Sequence, residues 1–312
     1  MTGGLLHRKR DRIDALAEAS AAGPRGTSLT ADAFRRLRRN PVAILGAFLV
    51  LLFILVAIFA PLLAPKDPYI RYLINDVREN TPLPSRAGFP LGADQNGRDV
   101  LSRLIVGSRQ SLLVGVAATV IGLVIGMLIG GTAGAFGGWI DTVLMRFVDI
   151  LLSVPSLLLA ISIAALFATA NQWTVITAVA IVSIPIFARL LRGAMLAQRG
   201  ADHVLAARAL GVRERSIVFR HMLPNSLSAV IVQATLTLAT SIIDAAALSF
   251  LGLGDADPNR AEWGAMLGDA QTYFDLQPSL AIWPALCIIV VALGFTLFGE
   301  SLREALDPKN RR

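Results

Sequence analysis

Of 312 residues, one is cysteine and three are histidine, and of the 29 basic residues only Lys9, Lys66 and Lys309 are lysine. Each scarcity removes a class of chemistry. Cys287 stands alone in an apolar run, which leaves no intrachain disulfide and no cysteine-based metal site. A phosphate-binding loop needs a glycine, then lysine, then Ser or Thr. Here the lysines precede Arg10, Asp67 and Asn310, so such a nucleotide site is not expected on this chain. His7, His203 and His221 all fall in basic polar segments without the paired spacing of a zinc site. No histidine lies within an apolar run, which argues against an intramembrane serine–histidine hydrolase.

Charge is scarce as well. Asp, Glu, Lys and Arg make up 16% of the chain against 54% hydrophobic residues, and the mean hydropathy is +0.62. That is too apolar for an ordinary soluble domain. The net charge of +7 would suit nucleic acid, but the basic residues cluster between apolar runs, as membrane lipids require of their partners. No nucleic-acid partner is expected. Arginine in place of lysine, with abundant Ala and Gly, fits a GC-rich bacterial genome.

The chain divides into an N-terminal segment (1–40), a first transmembrane helix (41–64), a polar loop (65–109), a transmembrane core (110–300) and a short tail (301–312). Ala31–Arg39 reads as a surface helix, with Phe34 and Leu37 toward lipid and its arginines toward anionic headgroups. Val42–Leu63 follows with 22 residues and no charge. Such a run makes roughly 33 Å of helix, too long for a cleaved signal core. Ser111–Thr132, Val143–Phe167, Thr174–Leu191, Ser226–Leu253 and Leu280–Gly299 complete six expected spans. Pro155, Pro185 and Pro284 lie inside three of them, where freed carbonyls need neighbours or water. With both ends inside, 21 basic residues fall on the cytoplasmic side and eight outside, seven of those in the long first loop.

Two spans carry more than hydropathy. Gly122, Gly126, Gly130, Gly134 and Gly138 recur at intervals of four, with Ala118 extending the row backwards. Glycines so spaced line one side of a helix and admit another backbone closely. The spacing predicts a helix–helix contact without naming the partner. In the fifth span, Gln233 and Asp244 are candidates for a translocation path. A carboxylate there costs a few kcal/mol by insertion scales (about 2.5–3.5) and so faces either a pairing group or water. Between these spans and the first, Asp99 can cap a helix from Val100, with Leu101, Leu104 and Ile105 forming an apolar face against Arg98, Arg103 and Arg109. That helix reads equally as an external gate or docking element and as an interfacial anchor.

The most charged interruption is Ala201–Asn225, ADHVLAARALGVRERSIVFRHMLPN. Good helix formers run to Leu210, and Gly211 is a natural left-handed stop. Val212–Met222 reads as a second short helix, closed by Leu223-Pro224, with Asn225 able to cap the next span. Ala206, Ala207, Gly211, Leu223 and Pro224 together resemble the EAA loop of bacterial ABC-importer permeases, with Leu205 where that family usually has Glu. LGADQNGRDVLSRLIVGSRQSL (Leu91–Leu112), AALSFLGLG (Ala246–Gly254) with Glu262-Trp263-Gly264, and FGESLREALDP (Phe298–Pro308) resemble the C-type permease subunits of dipeptide/oligopeptide/nickel importers. The four motifs fall in that family's order.

The resemblance implies a six-helix type I permease fold with a cytoplasmic coupling loop, in a bacterial inner membrane with both termini cytoplasmic. It implies a homologous permease subunit as the other half of the pore, two ATPase subunits or domains holding ATP and Mg, and an extracytoplasmic peptide-binding protein. The coupling residues would be Leu205, Ala206, Ala207, Gly211, Leu223 and Pro224. The chain itself would then be no enzyme and would hold no cofactor. Dipeptide, longer peptide, nickel complex and glutathione all remain possible cargo. An ion-coupled secondary transporter would favour more intramembrane carboxylates than Asp149 and Asp244, and a non-transporting scaffold would require all four motifs to be vestigial.

Overall fold

The structure, a computed structural model, describes residues 29–77, 81–257 and 259–306. The Arg-rich stretch before Leu29, and the tail after Leu306 with the end of the last motif, lie outside the described residues. Helix α1 (Leu29–Leu37) covers most of the expected surface helix and packs on the end of the last helix. Helix α2 (Pro41–Leu63) starts where Asn40 Oδ1 accepts the N–H of Val42 at 2.9 Å. Its Pro41 takes the first helical position, where a missing N–H is harmless.

Helix α3 (Val100–Phe136) opens on Asp99, whose Oδ2 accepts the Ser102 N–H at 2.8 Å. The sequence reads here as two pieces, a capped helix from Val100 and a span from Ser111. The structure joins them into 37 residues, roughly 55 Å at 1.5 Å per residue. The first half tolerates polar side chains because protein, not lipid, covers it. Trp263 lies against Gly107 and donates from Nε1 to the Leu104 carbonyl at 3.0 Å. The expected polar face is overturned in the same place: Arg98 and Arg103 are 1% and 2% exposed. Asp94 draws them in, its Oδ2 lying 2.7 Å from Arg98 Nε and 3.5 Å from Arg103 Nε. Only Arg109 of the three faces outward.

The expected third span, Val143–Phe167, is instead a broken pair. Helix α4 (Gly138–Leu152) and helix α5 (Ser156–Ala164) meet at 92°. Pro155 has no N–H to donate and disfavours helical geometry at Val154, while the Ser153 hydroxyl closes α4 by donating to the Ile150 carbonyl at 2.6 Å. Helix α6 (Gln172–Arg199) begins with a reciprocal cap between Asn171 and Thr174 and runs through Pro185 without a break. It is the centre of the bundle: 72% of its apolar stretch is buried, against 17% for α2 at the lipid-facing edge.

The polar loop then forms α7 (Asp202–Ala209), α8 (Glu214–Ile217) and a π turn (Val218–Met222), which runs directly into α9 (Leu223–Phe250). Helix α10 (Trp263–Gln271) and helix α11 (Ser279–Leu306) finish the described chain. Five unbroken helices and the bent pair are apolar and long enough to cross a membrane, and the described residues include no strand beyond three isolated bridges. The protein is a multi-pass all-α membrane protein. Its apolar core falls into three clusters, one around Trp263, one around Ile176 and Leu248, and one around Phe187 and Leu191 beneath the loop.

Candidate functional site

The loop between α6 and α9 is built by helix-end chemistry. Helix α7 stops in a Schellman motif: Gly211 N–H donates to the Arg208 carbonyl at 2.9 Å and Val212 N–H to that of Ala207 at 3.1 Å. That motif needs a left-handed residue, and Gly211 has φ +74° with nothing within 4 Å of a notional Cβ. Gly211 is therefore required for its backbone angle, and no close approach among the described residues calls for it. Arg208 Nε then bridges the turn to Glu214 Oε1 at 2.8 Å.

The second half of the loop departs from the sequence reading. Leu223-Pro224 does not close it and Asn225 does not cap a new helix. A π bond from Leu223 N–H to the Val218 carbonyl carries the chain into α9, with Pro224 in the first turn. Pro224 has no N–H to donate, and the wider π turn just before it accommodates the missing bond. Asn225 Nδ2 instead donates to the His221 carbonyl at 2.8 Å and lies 3.3 Å from His203 Nε2.

One side of this loop is anchored and the other is bare. Val204, Ala207, Ile217 and Met222 are buried with Phe187, Leu191 and Met195 of α6 and Val230 of α9. Ala207 is therefore small because this chain packs against it. Leu205, Ala206, Leu210, Gly211 and Pro224 are exposed, Leu210 at 83%, while Leu223 is half-buried at the root. The result is an apolar knob rigidly fixed between the central helix and α9.

The glycine row lies elsewhere. Gly122, Gly126, Gly130 and Gly134 are all buried along the seam of α3 with α6. A Cβ at Gly126 would stand 2.6 Å from Phe187 Cβ, and one at Gly130 would stand 2.8 Å from Ala188 Cα. Gly138 falls past the end of α3 and meets nothing within 4 Å. The row's partner is α6 of the same chain.

Gln233 borders a groove of about 610 Å³ between the α4–α5 break and helices α6 and α9, together with Leu152, Pro185, Ile186, Arg189, Leu190, Gly193 and Ala194. Its Nε2 donates to Thr237 Oγ1 at 3.1 Å. Asp244 does not line that groove. It lies on the same side of α9, eleven residues or roughly 16 Å farther along, and makes no hydrogen bond or ion pair among the described residues. Two ion pairs that the sequence did not connect tie α4 to α6. Asp141 accepts two hydrogen bonds from Arg192, and Asp149 Oδ1 accepts one from Arg189 Nη2 at 2.5 Å. Opposite charges at corresponding depths of consecutive spans were the available signal.

At the opposite end, Glu262 caps α10 by accepting the N–H groups of Gly264 and Ala265 at 2.9 Å each. Burial pushes its carboxyl above the usual carboxylate range, against the pull of those N–H groups and of Ser249 and Ser111. No group of His, Cys, Asp and Glu among the described residues has the arrangement of a metal site.

Comparison with known proteins places these features in one family. Residues 122–312 match the model of the binding-protein-dependent transport system inner membrane component, and residues 28–82 match the N-terminal transmembrane domain of oligopeptide transport permease C. The chain is 42% identical to the dipeptide transport system permease protein DppC of Alkalihalophilus pseudofirmus, over 89% of each chain. It is also 42% identical to the glutathione transport system permease protein GsiD of Pectobacterium atrosepticum, over 88% of this chain and 90% of that one. Among solved structures, the inward-facing MetNI methionine ABC transporter superposes with a TM-score of 0.54 at 19% identity, over 66% of this chain and 96% of that one. An amino acid ABC transporter gives 0.51 at 18%, over 64% and 91%; both bear on the fold alone. The chain belongs to the inner-membrane permease family of binding-protein-dependent ABC importers, whose members work with ATPase and substrate-binding partners.

Proposed function

We propose that this chain forms one half of a translocation path for dipeptides or short oligopeptides, with a homologous permease subunit as the other half. One of two ATPase subunits or domains docks on Leu205, Ala206 and Leu210 at the cytoplasmic face and the other on the partner permease, and the two hold the ATP and Mg that power the cycle. An extracytoplasmic peptide-binding protein delivers cargo to the side bearing residues 65–109 and 254–279. Both termini lie in the cytoplasm of a bacterial cell. The observation that carries the coupling role is the bare apolar knob itself. Its exposed face has no partner among the described residues, while its buried face is continuous with α6 and α9. Closure of the ATPases would push on the knob, and the push would pass through Val204, Ile217 and Met222 into the helices that border the groove.

The peptide cargo rests on the names of the relatives, and glutathione is a second reading because the GsiD proteins are as similar as DppC. The test is uptake by the whole complex in vesicles, with radiolabelled dipeptide and glutathione each supplied on the cognate binding protein. Dipeptide uptake that depends on ATP is expected; uptake of glutathione alone would transfer the reading to that cargo. Orientation is tested by single cysteines at Asp76 and Asp269 in a Cys287→Ser background, which should label from outside intact cells, whereas one at Arg213 should not. Labelling of the Arg213 position from outside would overturn the orientation.

A further inference from the structure

The two α4–α6 ion pairs differ in a way that points to cargo. Asp141 and Arg192 are joined by two parallel hydrogen bonds and are mostly covered, with side-chain exposures of 15% and 32%. Asp149 and Arg189 share one hydrogen bond through one guanidinium nitrogen, and their side chains are 50% and 57% exposed. Arg189 has no other partner among the described residues. A planar guanidinium offers five N–H donors, so most of its fork is unused.

The exposure and position of this open pair decide what it can face. Arg189 is ten residues before the end of α6 and Gln233 ten residues after the start of α9, so both lie roughly 15 Å from the inner ends of their helices. Charges exposed by half face a partner group or water and not hydrocarbon. Both line the groove of about 610 Å³ whose other walls include Leu152, Pro185 and Ile186. That size suits a small ligand. Gln233 spends its amide N–H on Thr237 and keeps its Oε1 without a partner among the described residues.

Resting on the permease reading above, we propose that this groove is a station for the free carboxylate end of a peptide, with Arg189 as its receptor. In the empty state Asp149 holds Arg189 by a single bond. A cargo carboxylate arriving in the groove takes the unused fork as a bidentate pair, the stronger geometry, and Asp149 lets go. Gln233 Oε1 accepts from an N–H of the peptide, and Leu152, Pro185 and Ile186 cover the side chains without selecting among them. No covalent step is involved. When the cargo leaves, Asp149 restores the single bond and keeps the guanidinium from lingering on its cargo. The locked Asp141–Arg192 pair next to it holds α4 against α6 while the exchange occurs.

The experiment compares ATP-driven uptake of a neutral dipeptide with that of its C-terminal amide, both supplied on saturating binding protein to the reconstituted complex. Selection by the binding protein is common to all variants, so a change in the acid-to-amide ratio reports the permease alone. Arg189→Gln should lower that ratio about tenfold (about 1.4 kcal/mol), and Arg189→Lys, which keeps the charge but not the fork, should lower it less. Asp149→Asn should raise it, because the competing carboxylate is gone. Co-purification of the ATPases and the melting temperature of each complex identify any variant that fails to fold. Asp149→Asn and Arg189→Lys then carry the test if Arg189→Gln does not assemble. An unchanged ratio in folded Arg189 variants, or a lowered one in Asp149→Asn, overturns the proposal and leaves the permease reading intact. Absence of uptake of either peptide by the wild-type complex, with ATP turnover present, overturns the peptide reading and this proposal with it.

Discussion

The small residues of the glycine row and those of the coupling loop look alike in sequence and are small for opposite reasons. Along α3, each glycine from Gly122 to Gly134 is filled by α6 of the same chain. In the loop, Ala206 and Gly211 are exposed, and among the described residues nothing lies within 4 Å of a Cβ at Gly211. A small residue with an internal neighbour reports on folding. One without a neighbour leaves room for another molecule or satisfies a backbone angle. Ala207 divides the two classes within one dipeptide: Ala206 faces out and Ala207 faces this chain's own core.

That division can be broken most forcefully at Ala207. Glutamate there would place a carboxylate in the buried apolar cluster beneath the loop. An uncompensated buried charge costs about 3 kcal/mol or more. The expected outcome of Ala207→Glu is loss of the folded permease itself, read as a lowered melting temperature in detergent, before any question of docking arises. A permease that melts normally but no longer retains its ATPases would mean that Ala207 faces them, and the comparison would fail at its sharpest point.

Gly130→Leu follows. A side chain there meets the Ala188 backbone, which cannot rotate aside, so the cost falls toward the upper part of the about 1–3 kcal/mol typical of overpacking. Recovery of the assembled complex should fall, together with its melting temperature. Gly138→Leu is the control, since that glycine lies outside the seam, although its φ of +58° makes a small loss expected. Equal behaviour of the two variants would detach the row from packing.

Leu210→Glu tests the bare side. Leu210 is 83% exposed, so the permease should melt as before. If the ATPases cover it, the charge is buried at their contact, and a hot-spot loss of about 2 kcal/mol is roughly thirtyfold in association. Pull-down of the ATPases against salt-matched wild type measures it. Undiminished retention would place the docking surface elsewhere on the loop.

These contrasts also mark how far the sequence could be read. Hydropathy gave five unbroken spans and the apolar stretch of the bent pair because lipid imposes a one-dimensional rule, an apolar run of fixed length. The left-handed stop at Gly211 was legible because it depends only on neighbours in the chain. What was not legible depends on contacts distant in sequence. Arg98 and Arg103 looked like an outward polar face because the carboxylate that draws them inward, Asp94, lies in a preceding loop. Helix α3 looked like two elements because its polar half is covered by Trp263, more than 150 residues later. The orientation of Ala207 and the pairing of Asp149 with Arg189 needed α6 in place. Pro155 and Pro185 show the limit even of local rules: the first ends a helix and the second is absorbed within one.

The smallest expected effect is at Gly211, and it separates backbone angle from docking. Because a Cβ there meets nothing within 4 Å, substitution costs only conformation. An L-residue in the left-handed region pays about 1–2 kcal/mol, and Asn, which visits that region more readily, pays less. Gly211→Ala should therefore shift the position of α8 relative to α7 without removing the apolar face of Leu205 and Leu210. The ATPases should still co-purify, while the ratio of peptide taken up to ATP hydrolysed falls, and Gly211→Asn should lie between Ala and wild type. A steric role would instead rank the variants by size, with Asn worse than Ala. That ordering, or a loss of ATPase retention in Gly211→Ala comparable to that of Leu210→Glu, would mean that the partner's surface lies against Gly211 after all. The angle would then be incidental, and the turn would belong with Leu205 and Leu210 as part of the contact.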